Sequence, residues 1–509
     1  MQTNTSLWRK KPLGELLAQA DGNSLKRTLG PWSLVALGIG AIIGAGLFVR
    51  TAAAAGQASG PGVTLAFIVA AIGCAFAGLC YAEFASMIPI AGSAYAYSYV
   101  TMGEVVAWII GWALIMEYAL GAATVAIAWS EYLNNLLGGS IPYEWCHSPF
   151  EVSQSGVNGI MNIPAMCILI VLTLLLIKGT QESAGINAII VFIKVAIVLL
   201  FIAIGWQFIN PENYSPYLIP EGTAPVLNQD GSIKNSYDNF FRHGWGGIIG
   251  GAGIVFFAFI GFDAVSTAAQ EAKNPKRDMP IGILGSLVVC TILYILFGHV
   301  LTGVANWKDF ADPAKGGEAS VAYAISHFMP GYDWLATAVT IAILAGFSSV
   351  ILVMLMGQSR VFYTMSSDGL IPKVFSDLHP KFKTPYKANI ILFFFVGLFA
   401  AFVPIHVAGD LTSFGTLFAF ILVSLGVMIM RKTSPEIERP FKTPLVPVVP
   451  VLGALICTGM IIGLDKQTLV VAALWMVTGL LIYFLYGRHR SKLTNPSDLL
   501  PKSSDFDKM

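Results

Sequence analysis

Residues 29–56 read LGPWSLVALGIGAIIGAGLFVRTAAAAG, an apolar run of membrane-spanning length with Gly38, Gly40, Gly44 and Gly46 clustered in its middle. Glycine in a helix interior costs about 1 kcal/mol relative to alanine. A span that gathers four of them has a weak point at which the helix can break. Broken backbone deep in a membrane is tolerated where it is buried in protein or lines a cavity. Residues 246–271, GGIIGGAGIVFFAFIGFDAVSTAAQE, show the same glycine-rich character in the second half of the chain. Two glycine-interrupted spans at corresponding places in two halves point to a transporter's substrate site.

Composition agrees with a membrane protein. Hydrophobic residues make up 55% of the 509 and charged ones 12%, against about 25% charged in a soluble domain. Mean hydropathy is +0.70. The length exceeds one ordinary soluble core and suits a bundle of spans of about 20 residues each. A net charge of +1 and the lack of a suitable basic tract give no reason to expect nucleic acid. The six cysteines, Cys74, Cys80, Cys146, Cys167, Cys290 and Cys457, show neither metal spacing nor a paired pattern. No metal, cofactor or disulfide is expected.

Hydropathy predicts an all-α polytopic protein of twelve spans, at 31–56, 62–88, 96–136, 161–179, 185–209, 246–271, 279–304, 334–366, 388–405, 408–431, 447–464 and 468–487. The N-terminal segment 1–30 is polar and amphipathic, without a signal-peptide apolar core. It reads as an interfacial helix touching the membrane through Trp8, Leu13, Leu16 and Leu17. With an even number of spans both ends share a side, and 23 of the 30 Lys and Arg fall there. The opposite side holds Arg50, Lys234, Arg242, Lys308, Lys315 and Lys466. That asymmetry places both termini in the cytoplasm, in a cell membrane of bacterial inner or plasma type. Residues 228–239, NQDGSIKNSYDN, read as an exposed turn-rich outer loop.

Spans 1–5 and 6–10 each open with a glycine-broken helix. Five is odd, so the two units lie in opposite membrane orientation, the inverted-repeat plan of many secondary transporters. The chain then divides into a cytoplasmic segment 1–30, a first repeat 31–209, an extracellular loop 210–245, a second repeat 246–431, two added spans in 432–487 and a tail 488–509.

Three stretches carry a family resemblance: IGAIIGAGLFV in the first span, FAFIGFDAVSTAAQEAKNPKRDMPIGI through the sixth, and GQSRVFYTMSSDGLIPKVF after the eighth. The chain resembles the amino acid–polyamine–organocation (APC) superfamily, most of all the bacterial relatives of cationic amino acid transporters. The likeness runs through all twelve spans. It implies the five-plus-five inverted (LeuT-like) fold and amino acid uptake. The glycine motif alone is less specific, since small residues also serve helix packing.

At the first break, N–H groups freed at the start of the outer half-helix sit at the positive end of a helix dipole and suit a carboxylate. The resemblance implies that Gly44, Ala45 and Gly46 hold the substrate carboxylate through backbone N–H, and that Ile42, Phe257, Ala258 and Ile260 supply carbonyls to its ammonium. The competing reading gives the glycines to tight helix packing alone. Phe257 or Phe262 could cap the ligand; with Phe256 and Phe259 so close, some of these rings instead face lipid or core.

Ionisable residues inside spans are functional candidates by default. Lys194, in NAIIVFIKVAIVLLFI, lies too deep to snorkel. Related sodium-coupled carriers bind a cation near the first span, and an amine placed there could replace the ion, coupling transport to a proton. Its alternative role is a permanent ammonium bracing the broken span. Glu117 is either part of a proton path or a packing carboxyl. Asp263 could hydrogen-bond free backbone or line the outer access path. Glu83 and Glu271 read as interfacially exposed span ends, and His299 and His406 as satisfied polar residues. In the resembling cationic transporters the position of Met354 is small and polar; methionine fills space a long basic side chain needs. A small or medium neutral amino acid is the expected cargo.

Rival classes fit less well. A channel filter motif, a nucleophile–base or paired-carboxylate constellation and a phosphate loop are all missing from the sequence, so an enzyme or ATP-driven pump is not expected. The partners are then an amino acid, a proton and the bilayer; a small membrane subunit or homo-oligomer stays open. Amino acid exchange, or cationic amino acid uptake, is the alternative to proton symport.

Overall fold

The computed structural model describes residues 7–12, 14, 29–88, 93–153, 155–178, 184–227, 233–311, 320–382 and 384–494. Among these, eight helices are long and apolar enough to cross a membrane, and four shorter apolar helices, Pro31–Ile42, Ile163–Lys178, Tyr386–Phe402 and Val448–Ile462, accompany them. Helix Pro275–Val304 packs on Val63–Met87 and on Pro31–Ile42. Helix Glu104–Leu136 packs on Asp333–Ser367 and on Ile405–Thr433. Helix Gly244–Val255, the start of the second glycine-rich segment, packs on Val63–Met87 as well. Large apolar side chains on the outside, such as Phe192 and Leu485, face outward where lipid would solvate them.

Local chemistry explains the boundaries. Pro31 and Pro275 sit in the first turns of their helices, where a missing N–H costs nothing. Asp465 caps helix Lys466–Ile482 by accepting the Gln467 N–H at 2.9 Å. Trp108 and Trp112 donate to the Gly479 and Trp475 carbonyls, each at 2.8 Å, while Trp108 stacks on Trp112 and Trp112 on Trp475, fastening the last long helix to Glu104–Leu136.

Two expectations need correction. The expected third span, 96–136, is two helices, Ser93–Thr101 and Glu104–Leu136. Gly103 between them has φ +102°, a conformation disfavoured for any side chain, and a Cβ there would stand 2.9 Å from the Trp8 backbone. The outer loop is not wholly exposed: Val226–Leu227 and Ile233–Asn235 pair as a small antiparallel hairpin in an otherwise helical protein. Tyr237 is buried and donates to the Gly56 carbonyl at 2.5 Å. At the N-terminus Trp8 is exposed, but Arg9 and Lys11 beside it are buried and paired with Glu104 and Asp368. Leu13, Leu16 and Leu17 lie outside the described residues.

Candidate functional site

Both glycine-rich segments break. Helix Pro31–Ile42 ends at Ile43 in extended backbone (φ −72°, ψ 105°), and winding resumes as Gly46–Arg50 in a wider π-helical turn. Among the described residues, the N–H groups of Gly44, Ala45 and Gly46 have no backbone acceptor, whereas the Gly44 carbonyl receives the N–H of Leu47 at 3.2 Å and of Phe48 at 3.4 Å. In the second segment, Gly244–Val255 tightens into Phe256–Phe259, then Ile260 is extended and Gly261 takes φ +114° before Asp263–Glu271. Gly261 is required there: a Cβ would stand 2.8 Å from the Ala41 carbonyl oxygen.

The two breaks meet. A Cβ on Gly46 would fall 2.1 Å from Ala258 Cα, so backbone touches backbone at that point. Tight packing, the alternative role for these glycines, is therefore real at Gly46. Gly44 faces elsewhere, toward Val350 of helix Asp333–Ser367, whose Cγ2 would lie 3.1 Å from an added Cβ. Val350 lies one turn before Met354. Met354 itself is buried against Gly121, its sulfur 3.5 Å from where a Cβ would stand, and bears on helix Glu104–Leu136.

The expected ammonium acceptors have donors of the chain's own. Tyr294 Oη, from helix Pro275–Val304, lies 3.1 Å from the Ile42 carbonyl and 2.8 Å from that of Ala258. The Phe257 carbonyl accepts the Ile260 N–H at 3.3 Å. A carbonyl keeps a second lone pair after one such bond. The four phenylalanines 256, 257, 259 and 262 are all buried: Phe256 and Phe262 pack on Phe420, and Phe259 on Phe67 and Tyr294.

Lys194 is 2% exposed. Its ammonium donates to the Gly40 carbonyl at 2.9 Å and to the Ile43 carbonyl at 3.1 Å, the last turn of helix Pro31–Ile42 and the break itself. Its stem crosses Gly346, whose missing side chain makes the room. Glu117 and Asp263 are fully buried. Tyr118 donates to Asp263 Oδ2 at 3.2 Å. Among the described residues neither Glu117 oxygen has a hydrogen-bond partner; Thr416 stands beside it but donates to the Thr412 carbonyl at 3.1 Å.

Asp263 follows the second break directly. It starts the half that runs to Ala272, which lies beside Leu29, with the Lys273 N–H on the Leu29 carbonyl at 2.8 Å. The exposed reading of Glu83 also fails. Glu83 is 1% exposed and receives Arg431 at 2.7 and 3.1 Å, Arg439 at 3.4 Å and the Thr443 N–H at 2.7 Å. The chain carries its Arg-rich 431–443 stretch back over the end of helix Val63–Met87, which a run-by-run reading does not reveal. His299 is satisfied by stacking on Tyr214 and by that residue's hydroxyl at 3.2 Å.

Sequence reading missed Tyr294 and Val350, which look like ordinary core residues until the breaks are placed. It also left Arg50 as an outer-side charge. Arg50 is buried and ion-paired with Asp410 of helix Ile405–Thr433, with Gly409 making room for the guanidinium. An arginine in the apolar run GLFVRTAAAAG was the available signal.

Comparison with known proteins fits this arrangement. The family model described as amino acid permease matches residues 29–486. The chain is 43% identical to the branched-chain amino acid permease BcaP of Bacillus subtilis, across 96% of this chain and 99% of that protein. It is 39% identical to the methylthioribose transporter of the same organism, again across 96% and 99%. With cationic amino acid transporter 2, vacuolar, of Arabidopsis thaliana it shares 34% identity, across 86% of this chain and 65% of that protein. A family match over nine-tenths of the chain, on a helical protein with two broken apolar segments, places it: the chain belongs to the amino acid permease family, within the APC superfamily.

Proposed function

We propose that the protein is a secondary transporter that takes up small or medium neutral L-amino acids together with protons. The observation that carries this reading is the pair of facing breaks. One offers three N–H groups without backbone acceptors at Gly44, Ala45 and Gly46, suited to a carboxylate. The other brings the Ala258 carbonyl beside that of Ile42, with Phe257 and Ile260 adjoining, suited to an ammonium. Met354 narrows the volume next to Gly121, which favours short side chains. Lys194 is the proton carrier in this scheme: its ammonium holds carbonyls of the break, and loss of the proton would loosen that hold, a neutral amine being the weaker donor. Glu117 and Asp263 are the alternative carriers, buried carboxyls close to the second break. The twelve-span count, the inverted repeat of 31–209 and 246–431, and cytoplasmic termini complete the proposal, with both ends on the basic side.

The names of the relatives support amino acids in two cases and a thioether sugar in one. Methylthioribose has neither carboxylate nor ammonium and would leave both halves of the candidate site unused. The test is uptake into proteoliposomes with an imposed inward proton gradient, screened across the common amino acids and methylthioribose. Accumulation of neutral amino acids above equilibrium supports the proposal. Uptake driven only by internal amino acid would make the protein an exchanger, and methylthioribose as sole cargo would overturn the substrate assignment.

A further inference from the structure

The Tyr294 hydroxyl stands where two backbone carbonyls from different broken segments converge, 3.1 Å from Ile42 and 2.8 Å from Ala258. Its ring is held by Phe67 and Phe259, with centroids 5.4 and 5.3 Å away. The side chain is fully buried, so water does not compete for these carbonyls. At the neighbouring contact Gly46 backbone rests on Ala258, so the segments are drawn together where the hydroxyl bridges them.

We infer that Tyr294 is a positioning residue that stands in for the substrate ammonium, holding the two breaks together while the carrier returns without cargo. The inference rests on the proposed substrate site, in which the same carbonyls receive the ammonium. A cargo molecule brings its own N–H donors. Without it, the buried carbonyls of Ile42 and Ala258 would each lack a donor, a desolvation penalty that opposes closure of the site. A phenol fixed on a neighbouring helix lessens the penalty, its single O–H donating to one carbonyl or shared between the two. The consequence is kinetic. A carrier that closes easily when unloaded completes a net-uptake cycle; one that closes only around cargo is confined to exchange.

The experiment is Tyr294→Phe, which keeps the ring contacts and deletes the hydroxyl, assayed in proteoliposomes with radiolabelled L-valine. Net uptake under an inward proton gradient is expected to fall tenfold or more, while counterflow into vesicles preloaded with L-valine stays within twofold of wild type. Retained counterflow also reports that the variant folds and binds. Equal loss in both modes would make the hydroxyl a general packing or binding element and overturn the inference, as would no loss in either. If the wild type moves L-valine in neither mode, the substrate reading fails and this inference falls with it, a result visible before the variant is made.

Discussion

The Lys194 ammonium and the Gly40 carbonyl, 154 positions apart in sequence, lie 2.9 Å from each other, and the same nitrogen reaches Ile43 at 3.1 Å. One side chain thus bridges the last turn of a helix and the break that follows. Lys194→Met keeps the stem beside Gly346 and removes the donors. Proton-driven accumulation is expected to fall by roughly tenfold or more, equivalent to about 1.4 kcal/mol of coupling. Amino acid binding, which uses backbone groups, should persist in part. Equal accumulation by wild type and variant in proteoliposomes would make Lys194 purely structural and move attention to Glu117.

Gly46 and Gly44 should differ in tolerance. A methyl on Gly46 collides with Ala258 backbone, whereas one on Gly44 meets only the end of a Val350 side chain that can turn aside. Gly46→Ala should therefore abolish binding, Gly44→Ala should weaken it, and Gly44→Val should abolish it. Amino acid amides, which lack the carboxylate, should compete poorly with labelled substrate. Undiminished competition by amides would remove the carboxylate assignment.

Met354→Ser should open volume beside Gly121 and admit longer substrates, cationic ones included. The measurement is competition by a series of straight-chain amino acids of increasing length. Strong lysine or arginine uptake by the unaltered protein would show that Met354 does not set the size limit.

Arg50 and Asp410 carry opposite charges in a buried place, so removing one strands the other. Asp410→Asn should destabilise the protein by about 3–5 kcal/mol, whereas replacing both with apolar residues of similar size should cost far less. Thermal unfolding in detergent distinguishes these outcomes. Equal losses in the single and double variants would mean that the charges are not energetically linked.

His147, in the loop after helix Glu104–Leu136, gives a pH prediction. Partial burial opposes its charge, but Glu131 at 3.0 Å outweighs this and raises the imidazolium pKa to about 9. Because the folded value exceeds the unfolded value of about 6.5, the contribution is complete below that pH and is lost as pH rises through 9. The unfolding temperature should drop between pH 7 and 10, and Glu131→Gln should flatten that dependence. An unchanged slope in the variant would exclude the pair as its source.

The breaks themselves were legible because four glycines in an apolar run have no cheap helical explanation, and Lys194 because a buried amine is conspicuous among aliphatic residues. The helix ends agreed with hydropathy wherever one apolar run met one polar loop. What stayed hidden depended on partners distant in sequence. Tyr294 gains its meaning from two carbonyls on separate segments, Glu83 from arginines some 350 positions later, and Asp410 from Arg50. The division at Gly103 was invisible because the expected third span, 96–136, stays apolar through most of its length and only backbone geometry separates the pieces.

Glu104 accepts hydrogen bonds from Arg9, Tyr99, Tyr483 and Ser491, and Arg9 also reaches Thr494 at 2.7 Å. The segments around Arg9 and around Ser491 are buckled to each other through one carboxylate. For anyone attaching a fluorescent protein or an affinity handle, that fixes the safe seam: a fusion begun beyond Thr494 leaves the buckle fastened. A truncation before Ser491, however innocuous it looks in a basic tail, would loosen the opposite terminus as well.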